Sequence, residues 1–256
     1  MLDYAAFPQQ RQALICQILQ EDGRVVCADL AQRLQVSEHT IRRDLHELSK
    51  EGYCKKVYGG AVMTLPESME YSERKEKNRA TKSRIAQKCA QLVKPGGCIF
   101  IDTGTTNLAM AEALPGELAL TVVTNSPEIA AVLLKKPLYE VVMLGGLVQR
   151  AAGGCVGASA VAQVQGILFD QGFIGGCAMA PESGLTGFDH ADCEFKKAVI
   201  KQCSEIIVGL TSDKIPAVAR FVVAESSAID VLVVEENISR KYRDAFREHE
   251  IRIYTV

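Results

Sequence analysis

No stretch of the chain stays apolar for the roughly 18–20 residues that a membrane span requires. Asp3, Gln9, Gln10 and Arg11 interrupt residues 1–20, so a secretory signal is not expected and the protein is expected in the cytoplasm. Charge of one sign is also missing. Lys and Arg number 29 against 31 Asp and Glu, a net charge of -2, which excludes a generally polybasic protein but not a local basic face. Nine cysteines contain no Cys-x-x-Cys, and an odd, scattered set reads as free thiols in a reducing compartment. A P-loop, a Gly-x-Ser-x-Gly elbow, a fixed-period repeat and a low-complexity tract are all absent from the sequence. What is present is 256 residues, 48% hydrophobic and 23% charged. That is ordinary globular material, enough for two domains of roughly 100–150 residues each.

The chain divides near residue 65. Residues 9–20 carry a helical stripe of Ala13, Leu14, Ile15, Ile18 and Leu19, and a turn through Gly23 ends it. A second short helix is expected over 29–34. Ser37 is a good N-cap for a third over 38–50, with Ile41, Leu45 and Leu48 inward and His39, Arg42, Arg43 and His46 outward. Two short β-like runs around Gly59-Gly60 then read as a hairpin. Residues 65–80 are rich in Glu, Lys and Arg and read as a partly helical, solvated linker. From 81 to 256 short apolar strands alternate with helices, the pattern of a mainly parallel sheet covered on both faces. The expected domains are therefore 1–64, a mostly α winged helix-turn-helix, the linker 65–80, and 81–256, an α/β domain.

Three helices with a tight turn before the third and a hairpin after it suit DNA recognition. Ser37, Glu38, His39 and Thr40 stand at the start of the third helix, and Arg42 and Arg43 face outward, where arginine reads guanine best. Lys55 and Lys56 on the wing suit phosphate contacts. The local charge balance does not decide the matter, since residues 1–64 hold eight cations and eight acids. The wording does. Asp29-Leu30-Ala31, Val36-Ser37-Glu38-His39-Thr40-Ile41-Arg42-Arg43-Asp44-Leu45, Leu48, Gly52 and Tyr58-Gly59-Gly60-Ala61 closely resemble the DeoR family of bacterial transcriptional regulators.

The second domain resembles the sensor domain of the same family. The resemblance implies a fold similar to ribose-5-phosphate isomerase and a sugar phosphate or related metabolite as effector. Asp102-Thr103-Gly104-Thr105-Thr106-Asn107 follows an apolar strand and opens a helix, a place where backbone N–H groups converge on an anion. Thr124, Asn125 and Ser126 follow the next strand, and Gly145-Gly146 the one after. Gly175 follows Phe173-Ile174, ahead of Gly184-Leu185-Thr186. The resemblance places Glu194 and Lys197 at the border of the pocket and Lys214 in a segment usually written Asp-x-Ser-Lys, here Thr211-Ser212-Asp213-Lys214. Asp189-His190-Ala191-Asp192-Cys193 lacks the second ligand pair of a zinc site and reads as a polar loop before a helix. No metal and no cofactor are expected.

The expectation is a regulator of sugar catabolism, a repressor released or retuned by a phosphorylated sugar. Its partners would be operator DNA with repeated half-sites, the effector, and a second or further copies in a homodimer or homotetramer. The competing class is a sugar-phosphate isomerase with an accessory helical domain, in which Glu194 or Asp102 would be the general base.

Overall fold

A proline inside the start and a glycine past the end frame the first helix, α1 (Pro8–Asp22). Gly23 is left-handed at φ 68° and its N–H donates to Leu19 O at 2.8 Å, a stop that glycine makes without steric cost. Strand β1 (Arg24–Val26) leads into α2 (Cys27–Leu34), and α3 (Glu38–Lys50) follows. β2 (Cys54–Val57) and β3 (Gly60–Met63) form the wing, with β1 on the other side of β3 in an antiparallel ribbon β1-β3-β2. Ile15, Leu19, Leu30, Leu34, Ile41, Leu45 and Leu48 close a core that belongs to this module alone. The computed structural model describes residues 7–57, 59–63 and 71–256. Residues 1–6, Tyr58 of the expected hairpin, Thr64 and residues 65–70 of the expected linker lie outside the described residues.

Within the same module an ion pair is buried. Arg11 on α1 and Asp44 on α3 are 1% and 0% exposed. Arg11 Nε donates to Asp44 Oδ2 at 2.5 Å and Nη2 to Oδ1 at 3.0 Å, a two-pronged bridge between the helices. The bond to Asp44 raises the Arg11 pKa further above its ordinary value, against the effect of burial.

Two helices, α4 (Tyr71–Glu76) and α5 (Arg79–Gln91), lead into the α/β part. It runs β4 (Cys98–Ile101), α6 (Thr105–Ala113), β5 (Leu120–Thr124), α7 (Pro127–Leu133), β6 (Tyr139–Met143), β7 (Leu147–Gln149), β8 (Gly154–Val156), α8 (Ala158–Val164) and β9 (Gln171–Ile174). β10 (Ala178–Ala180), β11 (Gly184–Gly187), α9 (His190–Ile200), β12 (Ile206–Gly209), β13 (Phe221–Ala224), β14 (Val231–Val234), α10 (Arg240–Glu248) and β15 (Arg252–Thr255) complete it. Seven strands form a sheet in the order β15-β14-β12-β9-β4-β5-β6, and every pair in it is parallel. Successive residues feed opposite layers. Phe100 and Ile174 pack with Phe195 and Val199 on one face, and Ile99, Ile101 and Phe173 with Ile207 on the other. The chain leaves β4 towards β5 and β6, then returns to β9 on the other side. The β4–β9 boundary is thus where the strand order reverses, and the crevice beyond its carboxyl ends is where such sheets hold ligands.

Several features depart from the sequence reading, the antiparallel ribbon β7-β8 among them. The antiparallel sheet β10-β11-β13 was not expected, and Gly184-Leu185-Thr186 is one of its strands rather than a loop. Its short, glycine-containing strands are fixed by pairing, not by local composition. Helix α9 begins at His190, inside the stretch expected as a polar loop before it, because the Asp189 side chain accepts from Asp192 N at 2.8 Å and caps it.

Candidate functional site

The outward face of α3 is built by its cap and its inward stripe. Ser37 Oγ accepts from Thr40 N at 3.1 Å and lies 2.9 Å from Thr40 Oγ1, so both hydroxyls are engaged in starting the helix. Ile41, Asp44, Leu45 and Leu48 point inward. Glu38, His39, Arg42 and Arg43 are exposed, and Arg42 Nη2 donates to Glu38 Oε2 at 2.9 Å. Lys55 and Lys56 are exposed on β2 opposite Val62 and Ala61. Neighbours on a strand point to opposite faces. Lys55 accordingly borders a crevice shared with Pro181 and Ser183 of the α/β part, and Lys56 looks the other way.

At the β4–β9 switch point Asp102 directly follows β4 and is wholly buried. Its Oδ2 accepts from Gly175 N at 2.8 Å, across the boundary between the two strands. A Cβ on Gly175 would lie 2.6 Å from Thr103 O and 3.0 Å from Asp102 Oδ2, so the approach needs glycine. Lys196, buried on α9, stands 3.4 Å from Asp102 Oδ2 and hydrogen-bonds Asp192 Oδ2 one turn earlier. Among the described residues Asp102 Oδ1 and Asp192 Oδ1 are buried with no hydrogen-bond partner.

A cavity of about 180 Å³ opens over this cluster. Thr103, Gly104, Thr105 and Thr106 at the start of α6 line one side, with Gly175, Gly176 and Cys177 after β9 and Lys214 after β12. Arg74, Lys77 and Lys82 reach it from the chain before the sheet. Burial, then the neighbouring Lys214 and Arg74, depress Lys82 to about 8. Burial also lowers Lys214, whose Nζ donates to Gly176 O at 2.8 Å. Burial raises Asp102 to about 7, against the pull of Lys196. Lys196 is held above its ordinary value because Asp102 and Asp192 outweigh its burial. One ammonium between two carboxyls forms the floor, and Arg74, Lys77, Lys82 and Lys214 stand around the same cavity with the carboxylates of Asp189 and Asp213.

The expected ligand residues separate into three groups. Thr103, Gly104, Thr105, Thr106, Gly175 and Lys214 line the cavity, and Asp102 lies beneath it. Thr124, Asn125 and Ser126 are fully buried and committed elsewhere. Thr124 Oγ1 donates to Ile101 O at 2.6 Å and Ser126 caps α7. Asn125 Oδ1 accepts from Thr103 N at 3.0 Å while its Nδ2 donates to Cys155 O at 3.0 Å, so it holds the cavity loop from behind. Gly145 and Gly146 are exposed beside Gln163, away from the cavity. Glu194 and Lys197 pair with each other at 2.8 Å on the outer face of α9. The side chains of that helix that reach the cavity are Asp192 and Lys196, which the sequence reading passed over. Their four-residue spacing beside Cys193, Phe195 and Val199 was the available signal. Asp213 pairs with Lys77 at 3.3 Å, and Thr211, where the usual motif has Asp, is buried in the cavity wall.

Two family models match the chain, a DeoR-like helix-turn-helix domain over residues 11–66 and a DeoR C terminal sensor domain over residues 77–236. The HTH-type transcriptional regulator GolR of Listeria innocua is 30% identical over 93% of this chain and 96% of its own length. The glycerol-3-phosphate regulon repressor of Escherichia coli is 28% identical over 95% and 97%, and the uncharacterized HTH-type transcriptional regulator YgbI of Escherichia coli is 31% identical over 90% and 91%. Among solved structures, ribose 5-phosphate isomerase A of Methanocaldococcus jannaschii aligns at TM-score 0.40 and 19% identity over 54% of this chain and 55% of that one. The probable sor operon regulator of Shigella flexneri aligns at TM-score 0.43 and 11% identity over 80% and 97%.

Proposed function

Since the chain belongs to the DeoR family of transcriptional regulators, we propose that its operator affinity is set by a phosphate ester of a sugar or polyol held at the β4–β9 switch point, and that it represses a catabolic operon. It is a DNA-binding regulator and not an enzyme, as its relatives are regulators and repressors by name. The isomerase reading is therefore not favoured. We assign DNA reading to residues 1–64, the linker to 65–80 and sensing to 81–256, in an assembly of two or four copies that matches repeated half-sites. Among the described residues no helix is long and apolar enough to cross a membrane.

The observation that carries the effector assignment is the pairing of cations with idle acceptors in one cavity. Lys82, Lys214, Arg74 and Lys77 offer donors and charge to a phosphate, beside the N-terminus of α6. Asp102 Oδ1 and Asp192 Oδ1 offer acceptors to hydroxyl groups. A relative named for a glycerol-3-phosphate regulon fits that chemistry. The test is release of operator DNA by a panel of phosphate esters and their unphosphorylated parents. Phosphate esters alone should act. Equal action by the parents would overturn the phosphate assignment.

The pH dependence follows from the same groups. An anion raises the depressed Lys82 towards its ordinary value, so binding takes up a proton above about pH 8, where free Lys82 has lost it. Asp102, ionising near 7, adds negative charge in the same direction. The phosphate ester itself becomes a dianion above about pH 6. Affinity measured by calorimetry should therefore peak near neutrality and fall above pH 8, and a flat profile from pH 7 to 10 would remove Lys82 from the site.

On the DNA side, Arg42→Ala is expected to cost about 1–3 kcal/mol of operator affinity and to relax preference at one base. Lys56→Ala should weaken all sequences alike and reduce the salt slope by about one. Binding across a library of operator variants separates the two outcomes.

A further inference from the structure

We propose that the segment from Thr211 to Ala217 is a lever that carries ligand occupancy from the cavity to the turn ending α1. This rests on the ligand assignment above. At one end Lys214 lies in the cavity wall with its Nζ on Gly176 O, a single neutral acceptor. The residues around it form one tight turn, with Lys214 N donating to Thr211 O and Ile215 N to Ser212 O, both at 3.0 Å. Such a turn moves as a unit. Two residues further on, Pro216 sits against Gly23. A Cβ on Gly23 would lie 2.7 Å from Pro216 O and 2.8 Å from Pro216 Cβ and Cγ, so the contact exists only because that position has no side chain.

Gly23 is well placed to feel such a movement. Its N–H holds the end of α1 through Leu19 O, and its carbonyl accepts from Met63 N at 2.6 Å in the wing. The same turn therefore ties the first helix to the wing. On either side of the contact are Arg24–Glu182 at 3.0 Å and Asp22–Lys241 at 2.6 Å. Both pairs are well exposed, and pairs of that kind contribute little. At the Pro216 seat Gly23 is buried and Pro216 half-buried, less exposed than either ion pair.

A phosphate oxygen is a stronger partner for an ammonium than a carbonyl is. An anion in the cavity draws Lys214 off Gly176, the turn follows, and Pro216 withdraws from Gly23. The helix-turn-helix module then loses its fixed orientation on the sensor domain. By linkage, operator DNA alters anion affinity by the same factor.

Hydrogen exchange on the full chain tests this, with inorganic phosphate as probe. Phosphate should slow exchange in 211–218 and speed it in 22–27 and at Met63, by about fivefold or more, the lower end of ordinary coupling. In Pro216→Ala, residues 22–27 should exchange fast from the outset and no longer respond, while 211–218 still does. The double variant Arg24→Ala/Lys241→Ala should keep the response, and loss of response there would assign coupling to the ion pairs and overturn the lever. Slowing of 211–218 in the wild-type chain with 22–27 unchanged would overturn the lever and leave the ligand site standing. No change in either segment would overturn both. The wild-type and ion-pair measurements stand even if Pro216→Ala does not fold.

Discussion

Asp44→Ala is expected to lower the stability of the N-terminal module by about 3–5 kcal/mol, the cost of taking the two-pronged carboxylate from a buried guanidinium. Arg11 has no route to solvent at 1% exposure, and its guanidinium cannot shed a proton at any pH the fold tolerates. The module's core is small, so a loss of this size approaches the whole of its stability. Urea unfolding followed by circular dichroism should show an early transition absent from the parent chain. DNA binding should disappear with it, although Asp44 faces away from the DNA-reading surface. The pair Arg11→Met/Asp44→Leu should recover most of the loss, because apolar groups of similar size replace a buried ion pair at little net cost. A single Asp44→Ala variant as stable as the parent would show that Arg11 finds another partner.

Lys196→Met should be the most damaging change in the sensor domain. It removes the ammonium shared by Asp102 and Asp192 and leaves both carboxyls buried, a deficit of about 3–5 kcal/mol where they ionise. Asp102 already sits near 7, well above its unfolded value, because burial opposes its charge. A carboxyl raised in this way supports the fold while it keeps its proton and ceases to do so as pH rises through its folded pKa. Without Lys196 that pKa climbs further. The deficit should thus be largest above pH 8 and shrink towards pH 5, which thermal unfolding across that range measures. A deficit independent of pH would mean that Lys196 contributes packing rather than charge. Effector response should be lost at every pH, since Asp102 and Asp192, the proposed hydroxyl acceptors, lose their fixed positions.

What the sequence made legible was whatever depends on near neighbours. Helix α3 occupies the expected residues 38–50, because its cap, its apolar spacing and its stop lie within one short stretch. The seven strands of the parallel sheet were likewise readable from apolar runs, whereas the short antiparallel strands β7, β8, β10, β11 and β13 were not. The rotation of a helix against a pocket was not. Lys197 and Lys196 differ by one position, yet one pairs in solvent with Glu194 and the other fills the centre of the cavity. Arg74 and Lys77 look like solvated charges in a linker and Lys82 like one on the helix after it, and only the return of the chain across the sheet brings them to Thr211 and Lys214. Thr124 and Asn125 were found but with the wrong task, since hydroxyl and amide groups serve a buried backbone as readily as a ligand.

The separate core of the N-terminal module has a consequence for how the protein is made. All the residues that close it lie between Ile15 and Ala61, so it is complete as soon as that stretch leaves the ribosome, and domains of this size fold in the order they emerge. Glu182, Pro216 and Lys241, which steady the end of α1, arrive only with the last third of translation. A nascent chain therefore passes through a period in which its helix-turn-helix module is finished and the sensor domain that would govern it is not.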